Sequence, residues 1–132
     1  MKIRVLFTGG RTFADRDWVY NVIRRYTPEN TLIIYGAAPG LDTIVDEIAT
    51  ELGFEIKRYP ADWERHQKAA GSIRNREMFF DSKPDVVNAF PGGPGTKNMV
   101  SLVKLWNRTA RKDQRKVILR VLDNIESGLD LT

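Results

Sequence analysis

Strand-like and helix-like segments alternate along this chain, and that alternation restricts its fold more than any other feature. Five short runs are rich in β-branched and aromatic residues: "KIRVLFT" (2–8), "TLIIYG" (31–36), "FEIKRYP" (54–60), "DVVNAF" (85–90) and "KVILRVL" (116–122). Between them, apolar residues recur at helical spacing. Trp18, Val19, Val22, Ile23 and Tyr26 share one face, as do Leu41, Ile44, Val45, Ile48 and Leu52, and again Met99, Leu102, Val103 and Trp106. A fourth, less clearly striped helix is expected from about Gln67 to Asp81. Strict alternation of this kind predicts an α/β fold: three layers, with a doubly wound parallel sheet of about five strands and right-handed crossovers covering both faces.

The chain is 132 residues long and 42% hydrophobic, enough for one domain with one core, and no linker, repeat or low-complexity tract divides residues 1–132. It has no cysteine, which removes disulfides and thiolate metal sites and fits a reducing, cytoplasmic setting. The start, "MKIRVLF", enters a strand pattern without the apolar segment of a signal peptide, and no run reaches transmembrane length. A formal charge of +4 favours anionic partners without choosing among them.

Ligands of doubly wound sheets sit beyond the carboxyl ends of the strands, where the winding reverses. With strand order 3-2-1-4-5, that crevice opens between the first and fourth strands. The loops there are "TGGRTF" (8–13) and "PGGPGT" (91–96), the two most glycine-rich turns, flanked by "YGAAPGLD" after the second strand. Glycine serves tight turns, and it also lets backbone N–H groups approach a phosphate; both uses are open for each loop. Thr96 is expected to cap the following helix, whose first-turn N–H groups would then point into the crevice. Arg11 and Arg74 would add forked hydrogen bonds to an anion.

Four ordered segments, "GGRTFADRDWV", "YGAAPGLDTIVDEIA", "YPADWERHQKAAGSIRNREM" and "AFPGGPGTKNMV", resemble the YspA and cpYpsA-related branch of the SLOG superfamily, from Gly9 to about Val103. The resemblance implies a Rossmann-like fold and a nucleotide-type ligand, since that superfamily includes the LOG phosphoribohydrolases and the Smf/DprA single-strand DNA binders. Their arginine motif falls on "GSIRNREM", which implies an active-site role for Arg74 beside Asn75. Their "PGGxGTxxE" falls on "PGGPGTKNM", which puts Met99 where the catalytic glutamate belongs. A thioether neither takes a proton nor stabilises a ribosyl cation, so LOG-type cleavage loses its central carboxylate. Where relatives commonly write "GARGAD", this chain has "AAPGLD", with Pro39 replacing an arginine.

Other carboxylates are candidates for that role. Asp42 follows the second strand with Asp46 one turn on, and Asp62 and Glu64 flank Trp63. Asp42 and Asp62 recur in the branch, and each has a purely structural alternative as a cap or loop fastener. His66 is the sole histidine and a candidate base. The expected ligand-binding set is Gly9, Gly10, Arg11, Gly36, Asp42, Arg74, Asn75, Pro91, Gly92, Gly93, Gly95 and Thr96. The expected function is binding of a nucleotide or nucleotide-derived small molecule, with two alternatives: a nucleoside 5'-monophosphate phosphoribohydrolase using Asp42 or Asp62, and a single-stranded DNA-binding module. The last rests on "RNR" (74–76) and the basic span "KLWNRTARKDQRK" (104–116), in which Tyr and Phe are not interleaved with the cations. No metal is expected, except magnesium arriving with a bound phosphate. Homo-oligomerisation is common among LOG relatives and stays open.

Overall fold

The structure, a computed structural model, describes residues 1–123. Five parallel strands, β1 (Ile3–Thr8), β2 (Thr31–Tyr35), β3 (Glu55–Arg58), β4 (Val86–Ala89) and β5 (Ile118–Val121), form one sheet in the order β3-β2-β1-β4-β5. This is the Rossmann-like arrangement expected from the alternation. The connecting helices are α1 (Arg16–Ile23), α2 (Leu41–Glu51), the short α3 (Trp63–His66), α4 (Ala70–Ser82) and α5 (Pro94–Thr109).

The two-residue period of the strands divides the core into two layers. Val5 and Phe7 of β1 face one side with Ile33 and Tyr35, where Trp18, Val19, Val22 and Ile23 of α1 and Leu41, Val45 and Ile48 of α2 cover them. Leu6 points the other way with Ile34 and Val87, under Met78 and Phe79 of α4 and Met99 and Val103 of α5. The helices therefore change sides between the β2 and β4 flanks of β1, and the crevice lies at that reversal.

Two local expectations need correction. The helix expected from about Gln67 to Asp81 is α4, which begins only at Ala70; ahead of it stand α3 and a single 3-10 turn, Gln67–Ala69. Gln67 breaks the path with φ +51, a left-handed conformation uncommon for a residue with a Cβ. Thr96 does not cap α5. Gly93 holds the cap position and Pro94 is the first helical residue, so Thr96 falls inside the first turn. Proline is suited to that first position because its fixed φ is helical and the missing N–H would have had no partner.

Candidate functional site

The loops after β1, β2 and β4 are joined through one residue. Gly10 donates its N–H to Pro91 O (2.9 Å), and its own carbonyl accepts from Leu41 N (3.1 Å) and Phe13 N (3.2 Å). The contact is close enough to exclude side chains. At Gly92 a Cβ would meet Gly10 N at 2.7 Å and Thr96 Cβ at 2.9 Å, and at Gly40, where φ is +79, it would run into the Gly10 and Arg11 backbone. Gly93 and Gly95 are different. A Cβ there would meet nothing within 4 Å, so packing does not account for these two glycines.

Above this junction lies a cavity of about 870 Å³. The residues expected at the ligand all line it: Gly9, Gly10 and Arg11 after β1; Gly36 and Asp42 after β2; Arg74 and Asn75 on α4; and Pro91, Gly92, Gly93, Gly95 and Thr96 leading into α5. Trp63, Lys68 and Asn98 also line it and were not anticipated. Trp63 lies between Asp62 and Glu64, whose carboxylates are the stronger chemical signal in the sequence. Its ring lies 5.6 Å from the Arg11 guanidinium carbon, a cation–π contact across the cavity mouth. Asn98 adjoins Met99, and its Oδ1 accepts from Asn75 Nδ2 (3.0 Å).

At the α5 end, the free donors can be named. Pro94 has no N–H and that of Lys97 is bonded to Gly93 O (3.1 Å), which leaves the N–H groups of Gly95 and Thr96 at the positive end of a sixteen-residue helix. Thr96 is only 8% exposed, and its Oγ1 has no partner among the described residues. Buried hydroxyls normally have one.

On the opposite wall, Arg74 is held by three acceptors. Nη1 donates to Gly36 O and Tyr59 O (3.3 Å), and Nε donates to Asn75 Oδ1 (3.0 Å), while Asn75 Nδ2 reaches Gly95 O (3.0 Å). Arg74 and Asn75 thus tie α4 to the loop after β2 and to the start of α5. Burial pulls the guanidinium pKa down; the Asp42 charge opposes this and Arg11 reinforces it. Asp42 is 7% exposed. Its Oδ2 accepts from Ala38 N (3.1 Å), and Oδ1 has no partner among the described residues. Burial pushes its carboxyl up to about 6, against the lowering effects of the Ala38 N–H, the Arg74 charge and the Gly36 N–H. Arg11, Lys68 and Arg74 leave the cavity wall net cationic beside this one carboxyl.

The other candidates lie elsewhere. Asp62 is not among the lining residues; it caps α3 by accepting from Arg65 N (3.1 Å), and His66 ends that helix, also away from the lining. Asp46 is on the far side of α2, bonded to Tyr35 Oη (2.5 Å) and Arg58 Nε (2.5 Å). Met99 is fully buried in the layer beneath α4 and α5. The basic span 104–116 starts within the last turns of α5, and its Trp106, Arg115 and Lys116 border a separate groove of about 390 Å³ with Lys83, where Trp106 meets Phe79 and Phe80 of α4. Among the described residues, no three His, Cys, Asp or Glu side chains gather as a metal site, and no helix is long and apolar enough to cross a membrane.

The sequence profile of the YspA, cpYpsA-related SLOG family matches residues 3–66. The "Gene 61 protein" of Mycobacterium phage D29 is 38% identical over 98 residues, which cover 68% of this chain and 78% of that protein. The chain belongs to the YspA, cpYpsA-related SLOG family. The fold has a solved counterpart in the X-ray structure of TM1055, at TM-score 0.64 and 15% identity over 99% of this chain and 98% of that one.

Proposed function

We propose that this SLOG protein binds a nucleotide or nucleotide-derived small molecule, with its anionic group over the start of α5, and does not cleave it by the LOG route. The observation carrying the proposal is the α5 terminus: the Gly95 and Thr96 N–H groups have no acceptor among the described residues, beside two glycines whose open sides packing does not explain. A phosphate accepts from the two N–H groups and lies on the favourable end of the helix dipole. Arg11 and Lys68 add charge from across the cavity.

Thermal-shift screening against mononucleotides, dinucleotides, ADP-ribose and its cyclic forms tests this reading. A specific ligand at a hundredfold excess over its dissociation constant stabilises by about 2.7 kcal/mol. The effect should vanish in Gly93→Asp; an unchanged response there moves the site elsewhere. Absence of LOG chemistry follows from Met99, whose buried thioether offers no carboxylate. Release of free base from adenosine monophosphate, abolished in Arg74→Ala, would favour the second reading, a nucleoside-phosphate hydrolase. The buried, elevated Asp42 carboxyl beside Arg74 is what supports that reading.

A further inference from the structure

The groove beside Trp106 lies at the end of the sheet opposite the crevice. Pro84 precedes β4, Lys116 and Val117 precede β5, and with the last turns of α4 and α5 they enclose about 390 Å³. Its floor is apolar, made by Phe79, Phe80, Pro84, Trp106 and Val117. Phe79 and Val117 are buried, whereas Phe80 is 46% exposed. An open aromatic ring among other apolar groups marks a contact surface.

Polar bonds fix the wall formed by the segment after α5. Asn107 pairs through its amide with both backbone groups of Val117 (2.8 Å each), Trp106 Nε1 donates to Arg115 O (3.2 Å), and Arg115 Nη2 lies 2.5 Å from Asp85 Oδ1. A wall held in this way does not fold down over Phe80. The groove is therefore formed before anything enters it, which lowers the cost of binding.

The charge around this floor has one sign. Among the described residues, the lining holds Lys83, Arg115 and Lys116 and no acidic side chain. Asp85 neutralises Arg115, whereas Lys83 and Lys116 form no ion pair among the described residues. A further cation, Arg76, lies over the Phe80 ring at 5.7 Å. A second copy docking through the same face would set these cations against one another. A nucleobase has a polar edge, and the ring-lined floor has no polar side chain to meet it.

We propose that the groove docks an acidic segment of a partner protein, with one bulky apolar side chain against Phe80 and Trp106 and carboxylates beside it facing Lys83, Lys116 and Arg76. Apolar burial supplies the anchor, and charge selects the partner.

The test is a proton–nitrogen NMR titration of the full chain with the peptide Glu-Glu-Glu-Leu-Glu-Glu-Glu, beside the same peptide with glycine for leucine and beside oligothymidylate. The leucine peptide should shift the Trp106 indole N–H and the amides of residues 79–83 and 114–117, which border the groove. It should bind about tenfold or more tightly than the glycine peptide. Lys83→Glu combined with Lys116→Glu should weaken it about tenfold at low salt while the thermal midpoint holds, since neither lysine is in an ion pair among the described residues. No binding, shifts confined to the crevice, equal affinity for the leucine and glycine peptides, or full affinity in the double variant would each overturn the proposal. So would shifts at these residues caused by oligothymidylate alone, which would make the groove a nucleic-acid surface, or by raised protein concentration alone, which would make it a contact between copies.

Discussion

Replacing Asp42 by Asn should make the unliganded protein more stable at neutral pH, and the gain should depend on pH in a calculable way. Burial raises the carboxyl from 3.8 to about 6 in the folded chain. Between those values the folded protein holds a proton that the unfolded chain has released, so stability falls as pH rises through this window and stays lower above it. At about 1.36 kcal/mol per pKa unit, ionised Asp42 costs the fold roughly 3 kcal/mol at pH 7.5 and almost nothing at pH 4. Asparagine never ionises. Its Oδ1 can keep the bond from Ala38 N (3.1 Å in the wild type), while its amide NH2 takes the unpartnered place at a cost of about 1 kcal/mol at every pH. The expected stability difference between variant and wild type therefore rises by about 2 to 3 kcal/mol from pH 4 to pH 7.5, for a net gain of roughly 2 kcal/mol at the upper end. Urea unfolding followed by tryptophan fluorescence at four pH values measures it, and the other titrating groups cancel in the difference. A flat difference, or one that turns against the variant as pH rises, would show that Arg74 outweighs burial and that Asp42 stabilises the fold.

Gly93→Asp should hold or slightly raise stability, because Asp is a good cap at this position and its Cβ meets nothing within 4 Å, yet anion binding should disappear. A calorimetric titration beside an unfolding curve would show whether the two effects separate. Gly92→Ala should lose about 1–3 kcal/mol, since its Cβ would sit 2.7 Å from Gly10 N; a denaturation midpoint like that of Gly93→Ala would contradict the packing role. Met99→Glu, which restores the LOG residue type, should lower stability by about 3–5 kcal/mol without creating nucleotide hydrolysis, because it places a charge in a fully buried apolar layer. A stable, hydrolytic Met99→Glu protein would mean that α5 can turn this position toward the cavity.

The sheet order was legible because the alternation of elements, crossover handedness and a winding reversal leave few arrangements, and β1 to β5 fall within the runs from which they were expected. The caps were less legible. Threonine looked like the cap of α5, but proline's preference for the first helical position puts the cap at Gly93, one residue before Pro94. The break at Gln67 has no local signal, because a left-handed φ at a glutamine depends on what surrounds it. Asn98 was overshadowed by its neighbour: a helix turns 100° per residue, so residue 98 can face the cavity while residue 99 is buried in the core. The groove beside Trp106 is not legible in the sequence, since Phe79 and Phe80 come from a different helix.

The same glycine-rich loop serves two purposes, and the boundary between them falls inside "PGGPGT". Gly92 is small because another backbone presses on it, while Gly93 and Gly95 are small where nothing does. Packing alone would let side chains accumulate at the open positions. An anion approaching the Gly95 and Thr96 N–H groups would require that they stay bare. The carboxyl shows a parallel division. Met99 has joined the core, and among the described residues the cavity lining contains one acidic residue, Asp42, contributed by α2 and not by α5. If this crevice performs any reaction needing a carboxyl from its own walls, proton transfer must come from the β2 side of the ligand. A carboxyl contributed by α2 enters the crevice from a different element than one at position 99 of α5 would, although the fold is the same.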